Sequence, residues 1–312
     1  MSAPAMPTAG RDRLLAITFV TLSGAGFVGA RLGLPHAQPF AFLALRFALA
    51  ALILSGLALA LRTPWPDRHA LLHVAGAGLL TVGVFSAGVF YGIAGGVPPA
   101  ISALIIALHP ILIAVAAPAL LGERVSARQW GGLLLGLLGV FLVLRHGLSA
   151  EPALELPVLY SCIGLLGQSA GNLYQKARCA EMHPFSGGAV QCAVCAVACS
   201  LGMLACESGS VHWTGEFIVA LGWMAIVVSV GAVSILVMLI RHGEVSRVAG
   251  LFYLLPVSAA ITAYLLFGQG IAATQWLGIA IAGGGVMLVT RRPGQPDGAA
   301  PGEALNPCER TS

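Results

Sequence analysis

A stretch of 38 residues, Leu108 to Arg145, returns as Leu254 to Arg291 at a constant offset of 146 residues and without a gap. Of the 38 aligned positions 15 are identical, among them Pro110/Pro256, Gly122/Gly268, Gln129/Gln275, Trp130/Trp276 and Gly139/Gly285. The chain is therefore an internal duplication, and its fold must be assembled from two similar units.

The composition identifies the solvent. With 58% hydrophobic and only 9% charged residues and a mean hydropathy of +0.90, the chain lies far from soluble domains, in which charged residues make up roughly a quarter. Ten apolar runs, at 13–31, 39–61, 70–93, 98–121, 128–144, 156–175, 184–206, 215–240, 245–267 and 272–290, match the roughly 17 to 25 residues that cross a bilayer core as a helix. Their apolarity is continuous rather than alternating, which excludes a transmembrane barrel. The fold class is an all-α polytopic membrane protein with ten transmembrane helices.

Residues 1–10 and 293–312 are rich in Pro, Gly and Ala and read as disordered tails. Between them lie a first unit, 11–150, and a second, 151–292. The first apolar run follows Arg11 and Arg13 and could pass for a signal peptide, but its counterpart in the sixth run argues that it is part of the fold. If the N-terminus is cytoplasmic, Arg11, Arg13, Arg62, Arg68, Arg124, Arg128, Lys176, Arg178, Arg241, Arg247, Arg291, Arg292 and Arg310 all fall inside, against Arg31 and Arg145 outside. This positive-inside asymmetry places both termini in the cytoplasm of a multi-pass inner-membrane protein. The net charge of +4 thus calls for no nucleic-acid partner.

Five helices per unit is an odd number, so the second copy enters the membrane upside down. The basic residues follow: Arg124 and Arg128 of the first copy become Gly270 and Thr274 in the second, and Glu123 becomes Gln269. The architecture expected is two inverted five-helix repeats, a plan that secondary transporters use for alternating access. The early parts of the units align more weakly at an offset of 145, with Pro39-Phe40 on Pro184-Phe185, Arg31 on Lys176 and Arg46 on Gln191.

The Leu45-Arg46-Phe47 segment, the Pro110–Leu121 run followed by Gly122-Glu123-Arg124 and Trp130-Gly131-Gly132, and the repeat itself resemble the EamA-type transporters of the drug/metabolite transporter superfamily. The resemblance covers roughly residues 13–292 and implies a five-plus-five helical fold that moves small metabolites, often outward. The chain departs from the family pattern at Ser23-Gly24-Ala25-Gly26, where a Trp-Gly-Asn sequence is common. No first-helix substrate contact is carried over.

Arg46 lies seven residues inside the second run, roughly 10 Å deep, while every acidic residue falls in a loop, a tail or a helix end. Such a charge costs about 2.5–3.5 kcal/mol at mid-membrane. It either faces an aqueous cavity and attracts an anionic substrate group, or snorkels to headgroups and backbone carbonyls. His109 stands mid-run directly before Pro110. It is the candidate for proton coupling, or a neutral ring hydrogen-bonded to a neighbouring helix. Pro110 and Pro256 mark equivalent kinks that could act as hinges.

Gln168 and Asn172 share one face of the sixth helix at i, i+4 spacing, with Gln175 and Lys176 extending it. Together with Gln191, Tyr253, Ser258 and Tyr91 they are substrate-binding candidates, each with an alternative role in helix packing. Cys192, Cys195, Cys199 and Cys206 line one face of the seventh helix among small residues, which suits packing better than a metal site. His69 and His73 form an interfacial pair, Trp65, Trp130, Trp213 and Trp276 read as interface anchors, and Ser126-x-x-Gln129 reads as a capping box. Gly131, Gly132, Gly136 and Gly139 in the fifth helix, and Gly278, Gly283, Gly284 and Gly285 in the tenth, allow close approach either within a monomer or across a homodimer.

No paired acids, metal cluster or nucleophile with its base stands at depth, so an intramembrane enzyme is not expected, nor a cofactor. No phosphate-binding loop is present for direct ATP drive. The reading is a secondary transporter, energised by a gradient such as protons, for a small carboxylate-bearing or amino-acid-like metabolite. A non-transporting scaffold or sensor is the alternative.

Overall fold

The computed structural model describes residues 8–97, 99–123, 125–144, 155–242, 245–267 and 272–290. Ten helical stretches fill it: α1 (Thr8–Gly33), α2 (Pro39–Ala60), α3 (Arg68–Ala94), α4 (Pro99–Ile106 and His109–Leu121), α5 (Ala127–Leu144), α6 (Glu155–Arg178), α7 (Pro184–Cys206), α8 (Gly215–His242), α9 (Val245–Phe267) and α10 (Ala273–Thr290). Six of them, α2, α3, α4, α7, α8 and α10, are long and apolar enough to cross a membrane. The one β-bridge among the described residues joins Ala37 to Val211.

Helix boundaries follow local chemistry. Pro39 and Pro184 open α2 and α7, where a missing amide costs nothing. Asp67 caps α3 by accepting from the amide of Ala70 at 2.7 Å. The capping box at α5 forms, with the Ser126 amide donating to Gln129 Oε1 at 2.8 Å and the Gln129 amide to Ser126 Oγ at 3.3 Å. Gln275 repeats the motif by accepting from the amide of Ala272 at 2.8 Å. Gly122 closes α4 in a left-handed conformation, φ 68°, that glycine adopts without a Cβ penalty.

Four helices are irregular, and the irregularities come in pairs. A π-helical segment, Leu79–Val84, interrupts α3, and another, Met224–Ala232, interrupts α8. Their first residues, Leu79 and Met224, differ by the same 145 positions that relate the early parts of the two units. Helix α4 breaks at Ala107-Leu108, ahead of Pro110, and α9 passes through a 3₁₀ turn at Leu251–Tyr253, ahead of Pro256. Proline lacks the amide that the carbonyl four residues back would use, here Ile106, so the helix cannot run straight through.

Packing also comes in pairs. α1 lies against α8 and α9, and α6 lies against α3 and α4, while α2 packs on α7 and α5 on α10. Glycines make these approaches possible: Gly88 and Gly164 bring α3 and α6 to backbone contact, and Gly26 and Gly29 meet Val228 and Met224 of the α8 π segment. Between α5 and α10, a methyl added at Gly139 would lie 2.4 Å from the amide nitrogen of Ala282, and one at Gly285 2.5 Å from that of Gly136. Gly132, Gly136, Gly139, Gly278 and Gly285 are thus consumed within the fold, whereas Gly131, Gly283 and Gly284 face open space. Where lipid supplies no hydrophobic drive between helices, such close contact supplies the association energy.

Candidate functional site

The polar side chains of the interior gather into separate hydrogen-bonded groups, two of them built on α6. One group holds Arg46 of α2, 5% exposed. Its Nε donates to Ser229 Oγ in the α8 π segment at 2.9 Å. The guanidinium lies over the Phe47 ring, 5.1 Å from its centroid, and the cysteine face of α7 packs in clusters with α2, Cys195 and Cys199 with Phe42 and Phe47, and Cys192 with Ala50 and Leu54. Arg46 makes no ion pair among the described residues, and its Nη groups hydrogen-bond to none of them. Residue 191, its counterpart at the offset of 145, holds Gln191, which donates through Nε2 to Gln175 Oε1 of α6 at 2.9 Å. Gln191 also presses on Gly78, where a methyl would come within 2.6 Å of its Cβ, immediately before the α3 π segment. Arg46 and Gln191 therefore touch equivalent distortions in α8 and α3.

In another group His109, fully buried, is held from α6 on both ring nitrogens: Nδ1 lies 2.9 Å from Ser169 Oγ, and Nε2 lies 3.2 Å from Asn172 Nδ2. Ser169 donates its own proton to the Leu165 carbonyl at 2.9 Å. The hydroxyl must then accept from Nδ1–H, and Nε2 accepts from the amide, so the network assigns one neutral tautomer. Phe252 of α9 covers the ring, with centroids 4.6 Å apart. A second proton, on Nε2, would require Asn172 to turn its amide so that Oδ1, which has no donor, faces the ring.

Asn172 Oδ1 is not alone. Gln168 Oε1, Gln191 Oε1 and the Tyr253 hydroxyl are also buried without a hydrogen-bond partner. Tyr253 packs its ring on Gly136 of α5. Each buried polar group left in this condition costs about 1–3 kcal/mol.

Each of the remaining candidates has contacts of its own. Tyr91 donates to Glu207, Ser258 gives its carbonyl to Thr262 Oγ1 at 2.8 Å, and Pro110 and Pro256 are buried at their breaks. Glu123 accepts from the Val245 amide at 3.0 Å, tying the end of α4 to the start of α9. Of the interfacial histidines, His73 shares a 2.7 Å hydrogen bond with Tyr174. No group of three metal-ligating side chains comes together among the described residues. Ser169, Ser229 and Glu207 are partners of the candidate residues that sequence reasoning missed. Ser169 alone carried a signal, lying beside Gln168 and three residues before Asn172.

Two cavities lie elsewhere. An apolar groove of about 530 Å³ opens on the side of the bundle beside Leu104, Leu108, Leu134 and Phe141, and a cleft of about 370 Å³ separates the α2–α3 and α6–α7 loops. Neither is lined by Arg46, His109, Gln168, Asn172, Gln175 or Gln191.

Long apolar helices around a buried guanidinium and other buried polar side chains are the build of an integral membrane protein. The chain belongs to the EamA-like transporter family, which it matches over residues 13–145 and 156–291. It is a membrane transporter of that family. It is 25% identical over 268 residues to the uncharacterised inner membrane transporter YedA of Escherichia coli, covering 86% of each chain. It is also 23% identical to the transporter YvbV of Bacillus subtilis, covering 94% of this chain and 95% of that one. A probable amino-acid metabolite efflux pump of Escherichia coli is 24% identical, with 86% and 91% covered. A crystal structure at 23% identity shares the fold, with a TM-score of 0.75 over 90% of this chain and 96% of that one.

Proposed function

We propose that the protein is a secondary transporter that exports a small carboxylate-bearing metabolite by alternating access between two inverted five-helix repeats, 11–150 and 151–292. All ten helical stretches cross the inner membrane in this reading, with both termini cytoplasmic. The paired π segments, the paired breaks ahead of Pro110 and Pro256, and the mirrored packing of α1 and α6 support the inversion. The charge asymmetry supports the orientation.

The observation that carries the substrate reading is Arg46. A guanidinium buried in a membrane protein, with one hydrogen bond and no acid partner among the described residues, leaves donors suited to a carboxylate fork. The unpartnered oxygens of Gln168, Asn172 and Gln191 supply acceptors for a donor group on the same solute. His109 is the proposed proton carrier, and Pro110 and Pro256 the hinges beside it. Outward direction and amino-acid-like substrates are supported by the efflux pump among the relatives.

The test is a metabolite-wide comparison of efflux and uptake in cells with and without the protein, repeated with the proton gradient collapsed. A carboxylate-bearing solute accumulating outside expressing cells, and no longer doing so with Arg46→Gln at equal abundance, is the expected result. Undiminished transport by Arg46→Gln removes the residue from the path.

A further inference from the structure

Helix α7 stops at Cys206, and the next residue turns extended, with φ −127° and ψ 158°. This puts the Glu207 carboxylate over the first turn of α2. It accepts from the amides of Phe40 at 2.7 Å and Ala41 at 2.9 Å, and from the hydroxyl of Tyr91 near the end of α3. One side chain of the second unit thereby grips two helices of the first. A negative charge on the free amides of a helix N-terminus is favoured by the helix dipole, and such charge-assisted bonds are about twice as strong as neutral ones.

A seam continues from it. Gln38 Oε1 accepts from the amide and hydroxyl of Ser208, each at 3.0 Å. The His212 amide donates to the His36 carbonyl at 2.8 Å, and His36 meets Glu216 at 3.3 Å. Every one of these bonds joins segment 36–41 or Tyr91 to segment 207–216. Beneath the seam lie Cys199, Cys195 and Cys192 along α7, and beside them Arg46, seven residues into α2. A solute travelling between Arg46 and that end of the bundle must part the seam.

We propose that Glu207 is the latch of the outer gate: its three hydrogen bonds hold α7 against α2 and α3, and their release opens the path above Arg46. The latch rests on the alternating-access reading and on the cytoplasmic placement of the termini. Glu207 acts through the helices it holds and touches no substrate, so it is a positioning residue.

The native cysteines report on the gate without knowledge of the substrate. Cys206 is exposed beside the seam, Cys199, Cys195 and Cys192 are buried below it, and Cys179 lies buried at the other end of α7. Burial pushes the Cys179 thiol up to about 11, which keeps it in the unreactive protonated form. Right-side-out and inverted membrane vesicles are treated with a membrane-impermeant maleimide, and each cysteine is quantified by mass spectrometry.

In the parent protein Cys206 is alkylated in right-side-out vesicles, and Cys199 only slowly. Glu207→Ala is expected to speed Cys199 labelling about tenfold or more, and Glu207→Gln and Tyr91→Phe by several-fold, as lost bonds shift the closed population. Cys179 stays silent throughout. Cys199 labelling that is unchanged in Glu207→Ala while the melting temperature falls makes Glu207 a helix cap only and overturns the latch. Should Cys179 of Glu207→Ala react in inverted vesicles, where the reagent meets its side of the membrane, that variant has unfolded and the two milder ones decide, an unchanged Cys199 in both overturning the proposal. Cys206 reacting only in inverted vesicles would refute the orientation, and the latch is then scored from that side.

Discussion

The contact of α5 with α10 and the contact of α2 with α7 both pair equivalent helices of the two units, yet they have diverged in opposite ways. Along α5 and α10 the repeat kept Gly132/Gly278 and Gly139/Gly285, and both helices begin with the same glutamine cap. Their backbones meet so closely that no side chain fits between them. Along α2 and α7 the proline starts are shared, but Arg46 stands where its counterpart is Gln191, and three buried cysteines lie on the α7 side of the contact. Symmetry persists where two helices need each other's shape. It was lost where Arg46 and Gln191 meet different partners, Ser229 and Gln175.

The sharpest way to break this comparison is to swap the expected consequences. Gly139→Leu, driving a side chain into Ala282 and Gly278, should abolish folded protein, since overpacking of even a methylene or two costs about 1–3 kcal/mol and here backbone blocks relief. Gly283→Leu, at an open position, should leave it intact; monodisperse protein in size-exclusion chromatography scores both.

Arg46→Gln should do the reverse, cutting transport about ten- to hundred-fold, the worth of charge-assisted bonds, while thermal stability stays level or rises because a lone buried charge is gone. Gln191→Leu should cost less transport than Arg46→Gln. Equal losses would mean that the two halves contribute alike.

His109→Asn should flatten the pH dependence of transport with the protein still folded, and Ser169→Ala should weaken it. An unchanged pH profile in His109→Asn discards coupling through this ring.

The smallest effect concerns His183, whose ring accepts from the Phe185 amide at the start of α7. Burial, then the nearby Arg241 charge, lowers its proton affinity below the ordinary value. The unfolded chain therefore binds the proton more readily, and the contribution to stability, complete above the ordinary histidine value of about 6.5, is lost as the pH falls below it. Melting curves of His183→Asn, which keeps a capping side chain, should decline less on acidification than those of the parent protein.

Much of this was legible in the sequence because lipid enforces simple rules. Apolar runs marked the helices, Pro39 and Pro184 marked helix starts, and Ser126 with Gln129 announced a cap that formed as expected. Arg46 and His109 stood out because polar groups are rare at depth. Their partners did not: Ser169 and Ser229 are small residues common in any membrane helix, and the distance from residue 46 to residue 229 along the chain hides their contact. Nor was Glu207 visible as a cross-brace, since an acid in a loop looks the same whether it is solvated or sits on the first turn of a distant helix. The π segments left no periodicity to detect, only the offset that relates them once both are known.

The central claim is that Arg46 recognises an anionic group of the solute, and binding tests it more directly than flux. Purified protein would be melted with and without a panel of small carboxylates, their esters and their amides, and compared with Arg46→Gln. A ligand that binds only the folded state raises the melting temperature by mass action. The account predicts that at least one carboxylate stabilises the parent protein, that its ester and amide do not, and that Arg46→Gln loses the response. A carboxylate that stabilises both proteins equally, or an ester that serves as well as its acid, would contradict it.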